Sequence, residues 1–158
     1  MPGVLYQDAL DLLRKGVGPT AQFRPHQFEA IQAVVHGKPV LLVQRTGWGK
    51  SAVYFIATRL LRSRGRGPTV IVSPLLVLMR NQVEMAGRLG LNSHTVNSAN
   101  REAWDSVFAS MRAGELDVLL ISPERLNNPQ IRAEVGPIPP GSMEKRGFRV
   151  DLTFGPEF

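Results

Sequence analysis

Lys50 and Ser51 close the run Thr46-Gly47-Trp48-Gly49-Lys50-Ser51, an order of residue types suited to holding a phosphate. Gly47 and Gly49 let the backbone curl until several N–H groups point inward. A helix opening at Lys50 adds the unpaired N–H groups of its first turn, with the positive end of its dipole behind them. The Lys50 ammonium then lies where β- and γ-phosphates would sit, and the Ser51 hydroxyl is placed to ligate Mg²⁺. Glycine turns between a strand and a helix also occur without a ligand, and Lys and Ser are common surface residues. The bracketing decides for phosphate: an apolar VLLV at residues 40–43 precedes the turn and a helical pattern follows it. Two departures bear on the loop's shape. Gln44 stands six residues before the lysine, where the general pattern has glycine, and Trp48 is bulky where a small residue is expected.

Elements able to position such a turn can be read along the chain. Leu5, Ala9, Leu12 and Leu13 share one helical face, with Gly16 as a stop. Pro25 can open a second helix whose buried stripe is Phe28, Ile31, Val34 and Val35, ended by Gly37. VLLV at 40–43 reads as a strand buried on both faces. A helix is expected over roughly 50–62, a strand at TVIV (69–72), a helix over about 75–89 capped by Gly90, and a strand at SHTV (93–96). REAWDSVFASMRAG reads as a helix ended by Gly114, DVLLI (117–121) as a strand, and Asn128-Pro129 as the N-cap and first position of a last helix. Strands alternating with helices at this spacing predict an α/β fold with a parallel sheet. The arginines of RLLRSRGRGP (59–68) read chiefly as a solvated helix end.

The bounds agree with one such domain. The chain has 158 residues, 43% of them apolar and 20% charged, which suits a globular protein with its own core. Its net charge is +6, and 15 of 19 basic residues are arginine, an excess that suits a phosphate-bearing partner without requiring one. With no cysteine, disulfides and Cys-ligated zinc are excluded, and His26, His36 and His94 lack metal-ligand spacing. No signal-like pattern or membrane-length apolar run is present, so a cytoplasmic protein without a membrane partner is expected.

QRTGWGKS resembles motif I of superfamily-2 helicases, and its surroundings resemble RecQ-like ATP-dependent DNA helicases of DEAD/DEAH-box type. FRPHQFEAI upstream is similar to that family's adenine-recognition motif. VIVSPLLVLMRNQV is similar to its motif Ia, NSAN to the short motif after the third strand, and LLISPERLNNP to the segment before its acidic motif. The resemblance covers about residues 5–135. It implies a P-loop NTPase (RecA-like) lobe using ATP and Mg²⁺, acting on single-stranded or partly duplex DNA. On this reading Arg24 and Gln27 address the adenine, for which a planar donor fork and an amide are suited. Phe23 either covers the adenine face or belongs to the core. Thr46, Gly47, Trp48, Gly49, Lys50 and Ser51 hold the phosphates and, through Ser51, the metal. Ser73, Pro74, Arg80 and Gln82 would contact DNA phosphates without reading sequence. Ser98 and Asn100 would do the same or serve as N-caps. Pro123, Glu124 and Arg125 form either a phosphate contact or a simple cap.

The resemblance also exposes what the sequence lacks. Hydrolysis needs an acid at a strand end for Mg²⁺ and usually a glutamate to orient water. In the family these open a DExH motif, but no Asp-Glu pair occurs anywhere in this chain. Asp151, in FRVDLTF, is a poor substitute, so no catalytic residue is assigned. The family's second lobe with its arginine finger, its zinc-binding region and its winged helix are not in the sequence either. Residues 1–22 therefore read as an N-terminal helix and link, and 23–135 as a partial ATP-binding lobe. Residues 136–158 read as a Gly/Pro-containing, poorly ordered tail with room for one short strand. The composition change after Val135 reads as a truncation or a frame change, leaving sheet edges uncovered. Weak ATP and DNA binding without unwinding is the expectation. A non-catalytic DNA- or partner-binding module and a non-helicase P-loop enzyme such as a small kinase are the alternatives.

Overall fold

The structure, a computed structural model, describes residues 2–44, 48–73, 83–135 and 149–151. Four parallel strands, β1 (Thr69–Val72), β2 (Ser93–Val96), β3 (Val118–Ile121) and β4 (Arg149–Asp151), form one sheet in the order β2-β3-β1-β4. Helices α1 (Pro2–Val17), α2 (Gln27–Val35), α3 (Lys50–Ser63), α5 (Trp104–Arg112) and α6 (Pro129–Val135) pack around it, and residues 83–88 are helical (α4). The expected α/β fold with a parallel sheet is present.

Strand side chains sort into two cores because successive residues face opposite ways. Ile71, Val118 and Leu120 point into a cluster with α1, α2 and α3, where Phe55 and Ile56 are fully buried. Val70, Val72, Leu119 and Ile121 point the other way, onto Trp104, Val107, Phe108 and Ile131 of α5 and α6. The uninterrupted apolar character of TVIV and VLLI follows from this burial on both faces.

Several local expectations change. α1 runs through Gly16 to Val17, so Gly16 is not its stop. A Cβ there would lie 3.2 Å from Leu89 Cδ2 and from Met85 Cε, and the missing side chain lets helix α1 approach that segment closely. Pro25 does not open α2. Gln27 N donates to Arg24 O at 3.0 Å, so Pro25 and His26 form the centre of a tight turn, with His26 at φ 68°. Asn128 is the cap expected for α6, its Oδ1 accepting from Gln130 N at 2.9 Å.

The largest correction concerns VLLV at 40–43. It forms no strand, and Leu41 and Val43 are 90% and 78% exposed. Leu42 alone packs against the core. Apolar residues raise the tendency to be buried, but a strand also needs a neighbour for its backbone groups. These residues have no ladder partner among the described residues. Conversely, the region after Val135 contributes β4, with Ile71 paired to Val150 and Val72 to Asp151. One flank of β1, expected to lie uncovered, is therefore paired, and the region is not wholly a tail.

Candidate nucleotide and nucleic-acid site

α3 carries the first half of the site, and the far end of that helix fixes where it points. Arg62, in its last turn, donates from Nε to Asp117 Oδ1 at 2.7 Å, and its two terminal nitrogens reach Arg66 O and Gly114 O at 2.7 Å each. Asp117 also accepts from Asn92 N at 2.8 Å. Arg62 is thus a half-buried clasp on the amino ends of β2 and β3 rather than a solvated helix end. Deeper in, the Thr58 and Thr69 hydroxyls meet at 2.7 Å. With its end held there, 14 residues carry the start of α3 roughly 20 Å toward the carboxyl edge of the sheet.

Gly49 precedes that start at φ 100° and ψ 33°, a conformation L side chains rarely adopt. A Cβ there would lie 2.7 Å from Gln27 Nε2. Gln27 is 3% exposed, and both ends of its amide are engaged. Its Nε2 donates to Gly49 O at 3.2 Å, and its Oε1 accepts from Arg24 N at 3.0 Å. Lys50 turns its ammonium back onto Gln44 O at 2.6 Å, while Ser51 follows half-buried in the first turn. Trp48 is 7% exposed and packs in the α1–α2–α3 cluster, so its indole is a core side chain. Arg24 is exposed. Phe23 stacks in an aromatic trio with Tyr6 and Phe28, at 5.5 and 5.7 Å between centroids, which gives it a packing role. Arg24, Gln27, Trp48, Gly49, Lys50 and Ser51 are therefore brought together at one place, whereas Thr46 and Gly47 lie outside the described residues.

The segments assigned to nucleic acid follow β1, β2 and β3, whose last residues Val72, Val96 and Ile121 are in register. All three segments thus emerge at the carboxyl edge. Their side chains differ in availability. Ser73 is fully buried, with its N–H donating to Ile121 O at 3.0 Å. Pro74, Arg80 and Gln82 lie outside the described residues. Ser98 is exposed, but it is not a cap. The cap of the 3₁₀ turn Ser98–Ala103 is Asn97, whose Oδ1 accepts from Ala99 N at 2.8 Å. Asn100 closes the reciprocal box: its Oδ1 accepts from Asn97 N at 2.9 Å and Trp104 Nε1 at 3.2 Å, and its Nδ2 donates to Thr95 O at 2.5 Å. That amide holds the loop after β2 together.

After β3 the 3₁₀ turn Pro123–Asn127 presents Pro123 and Glu124 to solvent. The Glu124 carboxyl is held below its ordinary value chiefly by its own backbone N–H and next by the Ser122 hydroxyl. That hydroxyl is buried and, among the described residues, closes no hydrogen bond of ordinary geometry. Arg125 is half-buried, and its Nε has no hydrogen-bond partner among the described residues.

Gly49 and Lys50 at the head of α3, with β1, β2 and β3 ending in register, have counterparts among known proteins. The model of the DEAD/DEAH box helicases matches residues 24–137. The chain belongs to the DEAD/DEAH box helicase family. Its curated relatives are RecQ-type helicases. It is 34% identical to the ATP-dependent helicase SGS1 of Saccharomyces cerevisiae over 106 residues, 66% of this chain and 7% of that protein. It is 33% identical to the ATP-dependent DNA helicase Q-like 2 of Arabidopsis thaliana over 120 residues, covering 74% and 16% respectively. It is 34% identical to the ATP-dependent DNA helicase RecQ of Haemophilus influenzae over 119 residues, covering 75% and 18%. The chain thus spans less than a fifth of the length of these helicases. A hypothetical ATP-dependent RNA helicase from Sulfolobus tokodaii has the same fold, with a TM-score of 0.60 and 15% identity. The match covers 96% of this chain and 51% of that one. Among the described residues, no helix of this DEAD/DEAH-box chain is long and apolar enough to cross a membrane.

Proposed function

We propose that the chain is the ATP-binding and DNA-binding portion of a RecQ-like DNA helicase. The observation that carries the nucleotide half is the grouping of Gln27, Gly49, Lys50 and Ser51 at the head of α3. Magnesium-ATP fits these residues. Gly49 takes a backbone shape that side chains rarely adopt and lets the Gln27 amide approach its backbone, Lys50 supplies a mobile positive charge, and Ser51 supplies a hydroxyl for Mg²⁺. Arg24 and Gln27 lie on the same side and suit the adenine edge, Gln27 once its amide is released from Gly49 O.

The DNA half rests on the three strand ends, Val72, Val96 and Ile121, lying in register ahead of the segments concerned, and on a net charge of +6. Arg125 is its most suitable described contact, and the segment with Pro74, Arg80 and Gln82 supplies the rest. A single strand laid along that edge is held through phosphates, without base readout. Ser73 and Asn100 serve this reading as supports of their loops, and Ser98 as a hydroxyl at the rim. No residue is assigned to activating water, and the chain by itself binds without unwinding.

Thermal unfolding with and without saturating Mg²⁺-ATP tests the nucleotide half, with Lys50→Ala alongside. A ligand at about 100 times its Kd stabilises by roughly 2.7 kcal/mol when it binds only the folded state. The expected outcome is a rise in wild type and none in the variant. Equal behaviour of the two proteins would sink the nucleotide half, whereas DNA-stimulated phosphate release that depends on Lys50 would overturn only the view that the chain binds ATP without turning it over.

A further inference from the structure

We infer that Trp48 is a positioning residue, a packing anchor that sets the start of α3 for phosphate binding. The inference rests on the nucleotide-binding reading above and adds to it a determinant that the glycine-rich pattern leaves out. A small residue is expected at this point of the turn, yet the chain has one of its two tryptophans there, 7% exposed and packed in the cluster of α1, α2 and α3. Gly49, the one residue between Trp48 and Lys50, is held by Gln27 through its carbonyl. Its φ of 100° is one that side chains rarely adopt. Consecutive Cα atoms are about 3.8 Å apart, so Lys50 lies only two links from the anchored indole.

The two ties act in different ways. Gln27 grips the backbone after the tryptophan, and its amide is the group a bound base would draw on. Trp48 makes no hydrogen bond from its indole among the described residues and holds by packing, so its grip persists when Gln27 changes partner. A turn built from glycines is otherwise free to sample many shapes. Burying one large side chain beside Gly49 limits that sampling while leaving position 49 a glycine.

The test compares Mg²⁺-ATP affinity in wild type, Trp48→Leu, Trp48→Phe and Phe108→Leu, with a melting curve for each. Phe108 is fully buried across the sheet in the other cluster, so it reports the effect of core damage alone. If the loosened turn holds its binding shape about a tenth of the time, the apparent Kd rises about tenfold. That rise is expected for Trp48→Leu, while Phe108→Leu keeps wild-type affinity despite a comparable fall in melting temperature. Trp48→Phe, which keeps an aromatic ring in the cluster, is expected to bind as wild type does. Wild-type affinity in Trp48→Leu, or the same loss in Phe108→Leu, overturns the inference and leaves the nucleotide reading standing. Failure of the wild-type chain to bind ATP overturns that reading itself.

Discussion

The side-chain amide of Gln27 donates to the carbonyl of Gly49 at 3.2 Å, joining residues 22 apart in the chain. The same amide nitrogen would stand 2.7 Å from a Cβ at position 49. One contact therefore ties the start of α2 to the start of α3, and Gln27 would have to give up that contact to admit a side chain there.

A double-mutant cycle separates these effects. Gly49→Ala is expected to lose about 1–3 kcal/mol from the positive φ alone, plus the collision with Gln27. Gln27→Ala removes two hydrogen bonds from a buried group, at about 1 kcal/mol each. In the Gln27→Ala background the collision is gone, so Gly49→Ala should cost less than it does in wild type. Denaturant unfolding of the four proteins measures the coupling. Strict additivity would mean that strain, and not Gln27, sets the requirement for glycine.

The clasp at the opposite end of α3 makes a separate prediction. Asp117 binds Arg62 and the Asn92 N–H together, and the two charged side chains are 17% and 21% exposed. Removing the carboxylate leaves a half-buried guanidinium with backbone partners only, so Asp117→Ala should lose about 2 kcal/mol. Arg62→Lys keeps the charge but cannot reach Asp117, Arg66 O and Gly114 O together, and it should recover only part of the difference. Urea unfolding of both variants checks this. If lysine serves as well as arginine, charge alone holds the clasp.

The strands TVIV and VLLI could be read directly because their residues are buried on both faces, and an apolar run records that burial. VLLV at 40–43 has the same composition and is largely exposed, since composition carries no information about which strand will accept a partner. β4 was legible only as room for one short strand in FRVDLTF, because its place depends on pairing with β1, which composition does not record. At the site, Lys50 and Ser51 were legible from local spacing. The engagement of Gln27 with Gly49 and of Asn100 with Thr95, Asn97 and Trp104 was not, because side-chain amides can serve a ligand or the fold equally well. A buried tryptophan inside a glycine turn was visible as an anomaly, and only its packing explains it.

Glu124 gives the pH prediction. Its carboxyl is lowered chiefly by its own backbone N–H, then by the Ser122 hydroxyl, with burial opposing and the Arg125 charge adding to the effect. A carboxyl that ionises more readily in the folded state stabilises it above the unfolded value, and that contribution is lost as pH falls through the folded one. Glu124→Gln should therefore melt below wild type at neutral pH. The two curves should converge as pH drops below about 4, under the ordinary glutamate range. A difference that persists at lower pH would assign the effect to shape instead of charge.

Arg125 tests the DNA edge. Among the described residues its Nε is buried without a partner, which costs stability, and the residue as a whole is only half-buried, so part of the guanidinium is open to an anion. A phosphate is suited to that place because neither its charge nor its oxygens depend on base identity. Arg125→Ala should weaken binding of single-stranded oligonucleotides of any sequence to a similar degree. The slope of log affinity against log salt should fall by about 1, the change expected when one phosphate contact is removed. Fluorescence anisotropy with two oligonucleotides of unlike composition at several salt concentrations measures both quantities. An unchanged slope would remove Arg125 from the interface, and a loss confined to one composition would mean that the residue reads bases.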